Sequence, residues 1–134
     1  MQELTKTNFA DQAEKVIFSM VEKDRKGNPT IRLTTSKIRN LLSMTNVLYN
    51  HARQKKNETL DDDLLRDIQY LKMRFAYECG REVDVKKFVE KAGIMEHINA
   101  IGKNREKLLL FCNYIEALVA YHKFYGGKDR ERKR

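Results

Sequence analysis

Tryptophan is absent, proline occurs once (Pro29), and only six glycines and two cysteines occur among 134 residues. So few backbone breakers exclude a loop-rich or collagen-like chain. Two cysteines far apart in sequence, Cys79 and Cys112, exclude a disulfide framework and a paired-cysteine zinc motif. Each falls on an apolar helical stripe and is expected to be a reduced, buried thiol. No apolar run is long enough to span a bilayer, and residues 1–11 lack the basic-then-apolar order of a signal peptide. A cytoplasmic protein with no membrane association is expected.

Motifs of catalysis are also missing. There is no glycine-rich phosphate loop, no G-x-S-x-G and no H-E-x-x-H. The three histidines, His51, His97 and His122, are isolated in sequence. His122 shares a stripe with Leu108, Cys112, Ile115 and Val119, which reads as a packed core histidine. Asp61, Asp62 and Asp63 fall in a first helical turn, where the helix dipole accounts for them. Adjacent acids on one turn diverge, whereas paired-carboxylate catalysis needs convergent ones. No enzyme activity, catalytic residue, metal site or cofactor is expected.

Positive charge is present, and it is concentrated. The chain carries 27 basic and 19 acidic residues, a net +8. Residues 23–56 hold nine cations (Lys23, Arg25, Lys26, Arg32, Lys37, Arg39, Arg53, Lys55 and Lys56) against one acid, Asp24. Clustered cations attract a phosphate backbone through ion pairing and counterion release.

Apolar residues are 41% of the chain, and they recur at helical spacing. Phe9, Ala13, Val16, Ile17 and Met20 predict a first helix over residues 8–23, capped by Asn8. A basic, mobile loop follows at residues 24–30. Ile38, Leu41, Leu42, Thr45, Leu48, Tyr49 and Ala52 predict a second helix after Thr34 or Thr35. Thr59 is expected to cap a third, with Leu64, Ile68, Leu71, Phe75 and Cys79 inside and Gly80 at its end. Asp84 opens a short fourth helix that Gly93 closes. A further turn or two runs over residues 94–101, and a last helix spans residues 104–125. The last helix is apolar on two sides, one through Leu108, Phe111, Cys112, Ile115, Leu118, Val119 and His122. The other runs through Leu110, Tyr114, Ala117, Tyr121 and Tyr125. Such a helix is either central to its own bundle or shared with a partner. No useful period-two alternation occurs. The reading is an all-α, compact bundle of five to six helices over residues 1–127, with a disordered basic tail at 128–134.

Two polar faces stand out. Arg39, Ser43, Asn46, Asn50 and Arg53 form a stripe on the second helix with no acid in it. On the third, Arg66, Tyr70, Arg74, Tyr77 and Arg81 share one side. Guanidinium groups grip phosphates and stack on bases, and tyrosine rings offer a stacking surface. By periodicity alone, Tyr70 and Tyr77 are as readily core residues.

Three stretches carry a resemblance to a known family. They are LTTSKIRNLL at 33–42, YLKMRFAYECGR at 70–81 followed by VKKFV at 85–89, and FCNYIEALVAYHKF at 111–124. With their linking segments they cover residues 30–127. In these the chain resembles the small subunit of type III-A CRISPR interference complexes, the Csm small-subunit family. The resemblance implies a small helical protein with no catalysis of its own. It implies several copies stacked in a minor filament beside the backbone subunits that carry guide RNA, next to a large polymerase-like subunit. It implies contact with guide RNA and target RNA through basic residues, here Lys37, Arg39, Arg74 and Arg81. Arg53, Lys55 and Lys56 join them from the charge clustering. The competing expectation is a protein-only helical adaptor that docks a partner through its C-terminal helix.

Overall fold

The computed structural model describes residues 2–128. It contains α1 (Phe9–Met20), β1 (Glu22–Lys23), β2 (Pro29–Thr30), α2 (Thr35–Gln54), α3 (Asp62–Arg81), α4 (Val83–Ala92), α5 (Ile94–Ala100) and α6 (Arg105–Phe124). The all-α bundle read from the sequence is the fold, with six helices among the described residues.

α6 is the axis. Leu108, Phe111, Cys112, Tyr114, Ile115, Ala117, Leu118 and His122 are buried on it, from both predicted stripes. α1 and α2 pack along it most extensively. The Tyr114 hydroxyl donates to the Ala92 carbonyl at 2.7 Å, which satisfies the one polar atom that this large buried ring carries. The second stripe of α6 is thus covered largely within the chain. Burial of each of Leu108, Phe111, Ile115 and Leu118 contributes about 1.5–3 kcal/mol.

Caps decide where helices begin. Thr34 accepts from the Lys37 amide at 3.4 Å, Asp61 from Leu64 at 2.9 Å and Asn104 from Lys107 at 3.0 Å. Asp61 therefore takes the place expected for Thr59. Thr59 instead forms a bridge with Asn104, and the Leu60 amide donates to the Lys103 carbonyl at 2.8 Å. Asn8 does not cap α1, because its side chain accepts from Thr5 N and donates to the Glu3 carbonyl. α3 runs through Gly80 to Arg81, and extended Glu82, not Asp84, opens α4. Gly93 closes α4 as expected, in the left-handed region at φ 63°.

The basic segment after α1 is a hydrogen-bonded hairpin where an irregular loop was expected. α1 ends at Met20, three residues short of the expectation, and the chain turns extended at Val21. Strands β1 and β2 pair antiparallel, Glu22 with Thr30 and Lys23 with Pro29. One Asp24 oxygen accepts from both Lys26 N and Asn28 N at 2.9 Å. The Asn28 amide chiefly holds the Asp24 carboxyl below its ordinary value. Gly27, at φ 81°, completes the turn.

His122 is fully buried and its Nε2 donates to the Leu33 carbonyl at 2.6 Å, tying α6 to the segment before α2. A Cβ on Gly127 would stand 2.1 Å from His122 Cε1, so only glycine lets the chain cross that ring. Lys128 continues along the bundle: its carbonyl accepts from Thr35 N at 2.6 Å. The rest of the expected tail, 129–134, lies outside the described residues.

Burial lowers the proton affinity of His122, against a smaller opposing effect of the Leu33 carbonyl, and burial likewise lowers that of His97. Unfolded imidazoles titrate near 6.5. Below that pH the unfolded chain binds protons that the folded chain resists. The associated stability is complete above 6.5 and declines as pH falls toward the depressed folded values. A melting temperature level from pH 8 to 7 and falling between 6.5 and 5 is expected by thermal denaturation. A level profile down to pH 5 would contradict it.

Candidate nucleic-acid interface

α2 contains no carboxylate. Thr34 starts it, and Ile38, Leu41, Thr45, Leu48 and Ala52 hold its inner side in the core. That packing fixes where every other side chain on it points. Arg39, Ser43, Asn46, Asn50 and Arg53 are all exposed on the outer flank. At about 1.5 Å of rise per residue, Arg39 and Arg53 stand about 21 Å apart along the axis. Neither makes an ion pair among the described residues. The Arg53 guanidinium lies 5.6 Å from the centre of the Tyr49 ring, which holds it against the helix.

The cations read from the sequence do not gather into one patch. Lys37 is two residues from Arg39, about 200° of helical rotation, and Lys55 follows the end of α2 in extended backbone, which carries its side chain away from Arg53 toward Asp61. Both lysines lie on the seam between α2 and α3. There Lys37 Nζ meets Glu82 Oε2 at 3.0 Å, and Lys55 pairs with Asp61. The hydrogen bond from Lys55 is the main cause of a lowered Asp61 carboxyl, and Asp61 in turn raises the Lys55 ammonium. His51 Nδ1 lies 3.5 Å from Asp67 on the same seam. Lys56, just beyond α2, is exposed and makes no ion pair among the described residues.

On α3, Arg74 is exposed and has no ion pair among the described residues, while Arg81 is held by Glu78 at 3.3 Å. Lys37 and Arg81 do come together. They line one cleft with Ser36, Asn40, Glu78 and Glu82. The two glutamates balance the two cations there. Acids on α3 and at its two caps thus neutralise one edge of α2 and leave its outer flank uncompensated.

Tyr70 and Tyr77 are surface residues, 56% and 67% exposed. This settles against a core role what periodicity left open. Arg105 carries a task that local pattern did not show: its Nε donates to the Ala52 carbonyl at 3.1 Å and fixes the last turn of α2 to the start of α6. A bond between residues 53 positions apart leaves no local signal.

No group of three or more acidic, histidine or cysteine residues that could hold a metal ion occurs among the described residues. Asp61 is occupied by its cap and by Lys55. Cys79 and Cys112 are free thiols, and burial pushes Cys112 up to about 12, which leaves it without a reactive thiolate at neutral pH. No helix among the described residues is long and apolar enough to cross a membrane. The arrangement offers cations and amides in a row, which is a means of holding a polyanion.

Comparison with known proteins agrees in its extent. The family model described as Csm2 Type III-A matches residues 10–128. The CRISPR system Cms protein Csm2 of Streptococcus thermophilus is 51% identical over 126 residues, covering 94% of this chain and 98% of that protein. The protein of the same name from Mycobacterium tuberculosis (strain CDC 1551 / Oshkosh) is 47% identical over 98 residues, 73% of this chain and 79% of its own length. That from Enterococcus italicus is 43% identical over 113 residues, with coverage of 80% and 81%.

Proposed function

Because this chain belongs to the Csm2 family of type III-A CRISPR systems, we propose that it is a non-catalytic subunit that holds RNA in the Csm complex. Its partners are other subunits of that complex, the backbone and large polymerase-like subunits foremost, together with further copies of itself. In this reading several copies stack along the guide–target RNA duplex. Each lays the outer flank of α2 against a phosphate backbone.

One observation carries the reading. The flank offers Arg39 and Arg53 at its ends and hydroxyl and amide groups between them, with no acid anywhere on the helix. Arginine binds phosphate through two parallel bonds, and the short polar groups add neutral ones. Such contacts position a strand without reading its sequence. Lys56 extends the row, while Lys37, Lys55 and Arg81 must exchange a carboxylate for a phosphate before they contribute. Arg74 has no such partner to leave among the described residues.

A protein-only adaptor has one feature in its favour. Phe124 and Phe18 are 75% and 64% exposed beside Tyr125, at the end of α6. That surface suits a protein contact and is compatible with RNA on α2.

The test compares the complex assembled with and without this subunit. Without it, target RNA is expected to dissociate several-fold faster, and adding the purified chain back should restore retention. Equal dissociation rates would overturn the RNA-holding role and favour the adaptor.

A further inference from the structure

We infer that the outer face of α3 is a stacking platform for unpaired nucleobases of single-stranded RNA, distinct from the phosphate-holding flank of α2. The inference rests on the RNA-holding role just proposed and assigns a second, chemically different contact within it.

Tyr70, Met73 and Tyr77 are each more than half exposed, at 56%, 62% and 67%. Tyr70 and Tyr77 are two turns apart, so they stand in line along the helix at about 10.5 Å. Neither hydroxyl is hydrogen-bonded among the described residues. Arg74 lies between them, free of ion pairs among the same residues. The Arg81 guanidinium sits 5.8 Å from the centre of the Tyr77 ring, with Glu78 holding it at 3.3 Å. A planar cation is therefore already parked against that aromatic ring. Large apolar side chains grouped together on the open side of one helix mark a contact surface.

The charge around these rings selects the cover. Positions 70, 73, 74 and 77 include no carboxylate, and Arg74 between the rings has no ion pair among the described residues, while Arg66 pairs with Asp67 at 3.9 Å and Arg81 with Glu78 at 3.3 Å. A phosphate satisfies Arg74, and base faces satisfy the rings. A duplex keeps its base faces stacked inside and offers phosphates, 2′-hydroxyls and base edges, so it gives the tyrosine rings no face to stack on. Unpaired nucleotides satisfy both. The α2 flank lies on the far side of that helix from the α2–α3 seam, so the two surfaces can engage different stretches of RNA.

The experiment uses the full chain at low salt, with single-stranded RNA carrying 2-aminopurine and a duplex of equal length. The unaltered protein is expected to quench the 2-aminopurine fluorescence on binding. Tyr70→Ala with Tyr77→Ala should weaken single-strand binding by about tenfold or more and abolish most of the quenching. Its salt dependence should stay unchanged, because no charge is removed. Tyr70→Phe with Tyr77→Phe should keep both binding and quenching. Both pairs are exposed, and unchanged melting temperatures verify the fold. Wild-type-like binding by the alanine pair overturns the inference, as does equal loss on the duplex, or an unaltered chain that binds no single strand. Intact RNA binding with impaired assembly into the complex also overturns it and assigns the face to a protein. Arg39→Ala with Arg53→Ala separates the two readings. Loss with that pair but not with the tyrosine pair sinks the platform alone. Loss with the tyrosine pair but not with the arginine pair sinks the α2 contact instead.

Discussion

Replacing Arg39 and Arg53 together by alanine should lower the affinity of the assembled complex for target RNA by about tenfold at low salt. An exposed charge pair contributes about 0.2–1 kcal/mol, and two such contacts approach the 1.4 kcal/mol that corresponds to a factor of ten. The slope of log affinity against log salt should flatten by about 1.4–1.8, from about 0.7–0.9 per phosphate contact. Replacement should not unfold the protein, since both side chains are exposed and Arg53 gives up only its contact with Tyr49. Lys37→Ala should do less to RNA binding, because that cation is already held by Glu82 at 3.0 Å. Equal salt slopes for the double variant and the parent would show that α2 does not meet phosphates.

The largest loss of stability is expected from Leu118→Ala. Leu118 is fully buried on α6, the helix against which α1 and α2 both pack. Truncating a buried leucine costs about 2–5 kcal/mol, the transfer term plus the cavity left behind. Domains of this kind have about 5–15 kcal/mol in total, so the variant should melt about 10 °C or more below the parent. Phe124→Ala on the same helix should stay within about 0.5 kcal/mol, since that ring is 75% exposed. Denaturant midpoints for the two variants check the contrast, and similar losses for both would deny α6 its central place.

The long helices were legible because their apolar residues recur with one period and their ends carry caps. α2 and α6 start at Thr35 and Arg105, behind Thr34 and Asn104, as their patterns require. α3 was harder to bound, because Thr59 and Asp61 are both capable caps. The choice falls on Asp61 because the backbone around Thr59 and Leu60 is taken up by bonds to Lys103 and Asn104. Two-residue strands are too short to show alternation, so β1 and β2 leave no periodic trace. What gives them away is the turn chemistry of Asp24, Gly27 and Asn28, which reads equally well as an irregular loop.

The interface was legible in sign and not in partition. Nine cations against one acid marked residues 23–56, but Glu78 comes from α3 and Glu82 from the junction between α3 and α4. Lys37 and Glu82 are 45 residues apart, and no local pattern reports such a pairing. The direction of Tyr70 and Tyr77 was open for the same reason, since a ring beside a core stripe faces either way until the neighbouring helix is placed.

The most direct measurement places a photo-crosslinking amino acid at Asn46, in the middle of the α2 flank, and irradiates the complex with target RNA bound. Adducts to RNA are the expected result. Adducts to a neighbouring subunit alone, or none at all, would contradict an α2 that faces nucleic acid.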